Sequence, residues 1–269
     1  MYSGTTFRTK SGRVIGAHQK IDRVAYRHFK QHVPKGLAFP TIQEILHFEG
    51  LNGPDGIKRK SPGRDEPWHF IDPNDPSDHT IITMIHDHIY NMASALRTSN
   101  TTRAAFEAAW LAHTIVDGLT PAHHYPLEDK LEELRGEGLA TRTSKKDKVL
   151  LPGKNRRTQL RNNWEFWGAK GIMTTHLGFE FGVATTIATP RFDDTYPTNE
   201  EFTRLQVEGF DVLFYEILHK VAALDMYEEF SRVGWTRHLA QETRDVLVPE
   251  IIKSVILAWY QALLTVGNK

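Results

Sequence analysis

The chain predicts an all-α domain on three observations. Apolar residues recur at three- and four-residue spacing along most of its length. No segment alternates convincingly with a period of two, and no internal repeat is found. Capping residues, Gly and Pro fall between the periodic runs, where helix ends belong. A length of 269 residues, 40% hydrophobic and 25% charged, suits one large core. A single multi-helix domain over 1–269 is expected, with an insertion at about 126–170.

The elements follow in order. Ile15, His18, Ile21, Asp22, Ala25 and Phe29 share the helical period and predict a first helix over 15–32. Thr41 caps a short helix, 42–49, that ends at Gly50. Residues 50–76 are rich in Pro, Gly and Asn, and read as a long loop holding Trp68-His69-Phe70. Ser77 or Asp78 caps a helix to about 97, and Thr101 or Thr102 caps another through Asp117. A third spans about 126–135, with Glu128, Glu132 and Glu133 on its wet face. Residues 136–157 are polar and basic and read as an exposed loop. Helices resume over 158–188, 199–220, 223–232 and 236–266, the last broken or kinked by Pro249.

Composition excludes several classes. Lys+Arg and Asp+Glu cancel at 33 each, so bulk charge draws the chain to neither nucleic acid nor an anionic bilayer. With no cysteine, disulfides and thiolate metal sites are ruled out. The first ten residues hold no apolar run that would serve as a signal peptide, and no stretch reaches the roughly 20 apolar residues of a membrane span. The expectation is a soluble, cytoplasmic protein as given, or a secreted one if a leader was removed. Gly-Ala-His-Gln-Lys and the other glycine positions form no phosphate-binding loop.

The most informative stretch runs from Ala112 to His123. His113 and Asp117 lie four apart on one helix face and can address the same ion. Gly118 and Pro121 then end the helix and turn the chain, so that His123 returns from the loop side. Imidazole with carboxylate suits zinc. The flanking residues are nearly all apolar, so a charge there is buried and needs a partner or a metal.

Further His/acid elements join it. His18 sits on the apolar side of the first helix, and His69 lies between two aromatics. His176 and Glu180 form a second i, i+4 pair. Asp55, in Asn52-Gly53-Pro54-Asp55-Gly56, occupies a turn that can present a carboxylate inward. Taken singly, each has a plainer reading: a packed histidine for His18 or His69, a helix-surface pair of about 0.2–0.5 kcal/mol for the i, i+4 couples. Together they supply five imidazoles and three carboxylates, enough for two or three metal ions able to clamp a phosphate ester and acidify a water. His86 and His88 face different ways, and His124 is a supporting or surface residue. His28, His32, His47, His79, His219 and His238 read as ordinary positions.

In this order the set resembles the zinc-dependent phospholipase C superfamily, which includes the single-strand-specific nucleases. A first-helix His (His18) precedes a loop Asp fourteen residues before an aromatic-flanked His (Asp55, His69). His-x3-Asp-x5-His (His113, Asp117, His123) and His-x3-Glu (His176, Glu180) follow. The resemblance covers roughly residues 14–185 and implies an all-α fold with a three-zinc cluster that hydrolyses phosphodiesters. It implies that His69, His113 and Asp117 hold one Zn2+ with Asp55 nearby, and that His123, His176 and Glu180 hold a second. Asp117 then bridges to a third, shared with His18. Asp55 is the candidate catalytic base or zinc ligand for the attacking water, with Asp65 as fallback. Two departures stand out. Mature members begin with a Trp whose amine and carbonyl complete the third site, whereas this chain begins Met-Tyr-Ser-Gly. That leaves the third site vacant, water-filled or completed by another side chain. The gap from His123 to His176 is also longer than the family's, and the added residues are expected to reshape the substrate entrance.

Three functions compete. The first is a zinc-dependent phosphoric ester hydrolase, phospholipase C-like, acting on a phospholipid headgroup or small phosphodiester, with Lys58-Arg59-Lys60 and the basic loop at 142–157 as anion-attracting flanks. No exposed amphipathic membrane-binding helix or separate lipid-binding domain is read in the sequence, which weighs against a membrane-lipid substrate. The second is a single-strand nuclease or 3′-nucleotidase, with Trp164 and Trp167 beside Arg156, Arg157 and Arg161 as base-stacking platforms. A spacing of three is equally that of a helix face packed on the core, and the core reading is favoured. The third is a non-catalytic protein with structural zinc or a bound phosphate ligand. Three identifiable ligands at His123, His176 and Glu180 lean towards catalysis, since structural zinc sites are closed by four.

Overall fold

The periodic stretches fold as helices, and the structure, a computed structural model, describes residues 1, 16–62 and 68–267. Asp65 and Ile15 lie outside the described residues. Among the described residues there is no strand. The first helix, α1 (Ala17–Phe29), closes in a 3₁₀ turn to His32. In α2 (Ile42–His47), Thr41 and Glu44 form a reciprocal capping box that satisfies two free backbone donors. The expected loop 50–76 is not all loop. Pro54, at the first position of a helix where its missing N–H costs nothing, starts α3 (Pro54–Lys60), and Asp55 sits in that helix's first turn.

Two long helices follow, α4 (Thr80–Arg97) and α5 (Thr101–Gly118), packed along each other. The cap of α5 is Asn100, whose side chain accepts from Arg103 N at 3.0 Å, one residue earlier than expected. Ala104, Ala105, Ala108, Ala109 and Ala112 are all fully buried; their small side chains admit neighbours on every side. The C-terminal half of α5 is therefore enclosed all round, which is why His113 and Asp117 are inside. Gly118, the last residue of the helix, leaves room for its neighbours, since a Cβ there would stand 3.0 Å from Ile81 and 3.1 Å from Phe214.

The stretch after His123 holds α6 (Leu127–Arg135), the four-residue α7 (Lys146–Val149) and α8 (Arg156–Trp167). It is more ordered than the expected exposed loop. Leu131, Leu151 and Phe166 form a small separate core, and buried Asn162 donates to Leu134 O and Pro152 O. The helix expected over 158–188 is two, α8 and α9 (Ile172–Thr186). At both Gly168 and Gly171 a Cβ would collide with backbone at 2.4–2.5 Å, so the break needs glycine. The helix expected over 199–220 is likewise two, α10 (Asn199–Glu208) and α11 (Phe210–Ala222), separated at Gly209 with φ +86°.

The chain ends in α12 (Met226–Val233), α13 (Arg237–Glu242) and α14 (Val248–Gly267). Pro249 does not break the last run. A π-helical turn, Thr243–Leu247, absorbs the proline's missing N–H and ring. The run 237–267 is long and apolar enough to cross a membrane by composition, but 67% of that window is buried against the other helices. It is the central core helix: α1, α4, α5 and α11 pack on α14, and Trp259, fully buried, donates to Ala108 O at 3.0 Å.

Candidate metal centre

Five elements converge on the C-terminal end of α5. From α5 come His113 and Asp117, and from the 3₁₀ turn Pro121–His123 comes His123. The segment 68–71 brings His69, held in place because Ile71 N donates to His123 O at 3.1 Å and His123 Nδ1 donates to His69 O at 2.7 Å. His18 enters from α1, while His176 and Glu180 enter from α9. All seven are buried, and Asp55 of α3 stands at the mouth with its side chain 27% exposed.

These eight residues fall into overlapping groups close enough to hold metal ions: His18/His113/Asp117, Asp55/His69/His113, His69/Asp117/His123 and His123/His176/Glu180. Asp117 is the one carboxylate that belongs to two of them, as do the imidazoles of His69, His113 and His123. Its Oδ2 lies 2.5 Å from His69 Nδ1 and 3.1 Å from His113 Nε2, and its Oδ1 lies 3.3 Å from His18 Nε2 and 3.7 Å from His123 Nδ1. The two oxygens of one carboxylate thus face two sets of imidazoles. In the neighbouring group, Glu180 Oε1 is 3.0 Å from both His123 Nε2 and His176 Nε2. His18 and His113 stack with ring centroids 4.0 Å apart.

The amine of Met1 donates to Asp117 Oδ1 at 2.6 Å and lies 3.3 Å from Glu180 Oε1, while its carbonyl accepts from His18 Nε2 at 2.7 Å. The backbone of Met1 thus lies between Asp117, Glu180 and His18. Burial disfavours this ammonium, but Asp117, Glu180 and Asp55 outweigh it and hold its pKa up to about 10. A cation among these carboxylates is what the donor set favours.

The electrostatics leave His69, His123, Asp117 and Glu180 in the protonation state that metal binding requires, with neutral imidazoles and ionised carboxylates. Burial, with Lys58 and against Asp117, pushes His69 down to about 4. Burial, with the Met1 ammonium, pushes His123 down to about 3. Burial works against Asp117 and Glu180, yet the surrounding cations hold both carboxyls well below their usual range. His113 is the exception: against burial, Asp117 and Glu49 hold it well above its usual value. The cluster has four ring nitrogens buried without a hydrogen bond, His18 Nδ1, His176 Nδ1, His69 Nε2 and His113 Nε2, the last approaching Asp117 out of line. His69 and His113 group with Asp55. Buried imidazole nitrogens without partners fit ligands waiting for an ion.

Sequence reasoning missed Glu49. Its side chain is fully buried at the end of α2, with both oxygens 3.3 Å from His113 Nδ1 and Oε2 accepting from Gly50 N. It fixes the ring so that Nε2 faces Asp117 and Asp55. No periodic or motif signal marks it. His124 is a supporting residue, its Nε2 donating to Gly118 O at 3.0 Å. A further grouping, Glu229/His238/Glu242, lies at the surface, where Glu229 engages the ring at 2.9 Å.

A cavity of about 220 Å³ opens onto the cluster, lined by Asp55, Lys58, Arg59, His69, His123 and His176 among others. The basic run at 58–60 thus belongs to the last turn of α3 and sends two of its cations to the cavity wall. The core reading of the two tryptophans is overturned. Trp164 is 72% exposed and Trp167 39%, because Asn162 and Phe166 take the inward face of α8. No protein-family model, curated protein or solved structure matches the chain.

Proposed function

We infer that this chain is a metal-dependent phosphoric ester hydrolase, phospholipase C-like, using two or three Zn2+ ions. The single observation that carries this reading is Asp117, whose two oxygens face separate imidazole sets that include His69 and His123, and these two line a cavity whose wall also carries Lys58 and Arg59. His69, His113 and Asp117 would hold one ion, with Asp55 beside them. His123, His176 and Glu180 would hold a second, and His18 with Asp117 would contribute to a third. Zinc bound there supplies Lewis acidity for a phosphate oxygen and acidification of a water.

The chain's own residues supply the rest. Lys58 and Arg59 draw the anionic ester into the cavity. Asp55, the most exposed carboxylate of the cluster, is placed to take a proton from water entering at the mouth. Glu49 and the His69 carbonyl hold His113 and His123 in orientation from behind. A single-strand nuclease is the second reading, favoured by the exposure of Trp164 beside Arg157 and Arg161.

The deciding experiment combines metal content with a substrate screen. Plasma mass spectrometry of untagged wild type is expected to give two or three zincs per chain, and Asp117→Asn no more than one. The loaded wild type is expected to hydrolyse bis-p-nitrophenyl phosphate and a short-chain phosphatidylcholine. Cleavage of single-stranded DNA alone would reverse the ranking. Near-zero metal in wild type after zinc is supplied would overturn the reading.

A further inference from the structure

The insertion presents a surface that the cluster does not use. Residues 142–170 carry nine Lys or Arg against two acids, so a chain of zero net charge holds +7 here and −7 elsewhere. On α8, Arg157, Leu160, Arg161 and Trp164 follow at i, i+3, i+4 and i+7 and share the outward face. Leu160 is 73% exposed and Trp164 72%. The segment before the helix runs alongside it. Asn163 exchanges hydrogen bonds with both backbone groups of Leu151, and Trp167 Nε1 donates to Val149 O at 2.7 Å. Val149 and Leu150, also exposed, are thereby brought beside the tryptophans. The result is an apolar strip with basic residues interleaved.

The elements that carry this strip are joined to elements that line the cavity. Helix α8 packs on α9, which carries His176 and Glu180, and Leu177 of α9 is both exposed and part of the cavity wall. Lys148 Nζ donates to the carbonyl of Lys58, another wall residue, at 2.5 Å.

We propose that the outward face of α8, with Val149 and Leu150, docks the protein on an anionic phospholipid surface and brings the cavity mouth to it. Three features favour a bilayer over nucleic acid. Three of the strip's five exposed apolar side chains, Val149, Leu150 and Leu160, are aliphatic and give a base nothing to stack on. Indole rings settle at the headgroup level of membranes. Basic residues around an apolar stripe add attraction to anionic headgroups. The proposal takes its purpose from the phospholipid reading of the cavity, but its test does not depend on hydrolysis.

Co-sedimentation of the full chain with vesicles, in chelator so that nothing is cleaved, reads binding alone. Wild type is expected to bind vesicles of equal parts phosphatidylcholine and phosphatidylglycerol, to bind pure phosphatidylcholine far less, and to release as salt rises. Leu160→Ser/Trp164→Ser is expected to weaken binding about tenfold or more. Arg157→Glu/Arg161→Glu should lose about fivefold or more per residue. Both variants alter exposed side chains, and an unchanged circular-dichroism melt establishes that they fold. Failure of wild type to bind either vesicle, or undiminished binding by both variants, overturns the proposal. So does binding to oligothymidylate, weakened by the same substitutions, without vesicle binding. Vesicle binding by a loaded protein that hydrolyses no phosphate ester counts against the proposed activity and leaves the docking face standing.

Discussion

Glu49→Gln tests the cluster from behind. The substitution keeps the side chain's size and removes its charge at a fully buried position with both oxygens 3.3 Å from His113 Nδ1. Partners that orient a ligating histidine are worth about 10–100-fold in metal affinity, or about 1.4–2.7 kcal/mol. The structure also sets how this loss varies with pH. Burial opposes the His113 imidazolium, but Asp117 and Glu49 together hold its pKa well above the usual value, so a proton competes with metal at neutral pH. Removing Glu49 lowers that pKa and relieves part of the competition. The deficit should therefore be smallest at pH 6 and approach its full size as pH rises and His113 deprotonates in both proteins. Zinc affinity by competition with a chromophoric chelator, measured at pH 6, 7 and 8, reads both effects. Affinity within about twofold of wild type at every pH would mean that Glu49 does not orient a ligand, and the assignment of His113 to the metal centre would fall with it.

Other consequences are as direct. Burial holds His69 and His123 at about 4 and about 3, so between about pH 6.5 and those values the unfolded chain binds more protons than the folded one. The metal-free protein should then lose stability as pH falls from about 6.5 towards 4, by up to about 1.4 kcal/mol per pH unit for each histidine, read by urea unfolding in chelator. The raised His113 acts oppositely, its contribution being lost as pH rises through its folded value. Equal urea midpoints at pH 7 and 5 would contradict this. Lys58→Ala should raise KM for bis-p-nitrophenyl phosphate about tenfold with little change in kcat, since one charge-assisted contact to the anion is removed; an unchanged KM would take Lys58 out of substrate binding. Gly182→Ala places a Cβ 2.2 Å from the Trp235 ring and should destabilise the protein by about 1–3 kcal/mol, measured as a lower urea midpoint.

Helix identity was legible because it is written in short-range chemistry. The Thr41/Glu44 box, the apolar period of α1 and the interval from His113 to Asp117 need no distant residue to be read. The breaks at Gly168 and Gly209 were harder, since an apolar period runs on across a glycine, and only the approach of backbone or a positive φ reveals the turn. Spacing singled out His113/Asp117 and His176/Glu180, because i, i+4 pairs in apolar surroundings are costly unless used, while helix face, turns and aromatic neighbours marked His18, Asp55, His69 and His123; the structure gathers all eight.

What spacing could not supply was the other side of each contact. Glu49 meets His113 across 64 residues and His69 meets Asp117 across 48, and neither meeting leaves a local trace. The exposure of Trp164 went unread for the same reason. Helical period shows which residues share a face, but not which face its neighbours cover. The sequence by itself determined the helices and the ligand-type residues, through backbone preference and side-chain period. Packing alone decided which oxygen of Asp117 each imidazole meets, which carboxylate stands behind His113, and which side of α8 is left to solvent, because burial belongs to the assembled helices and not to any one of them.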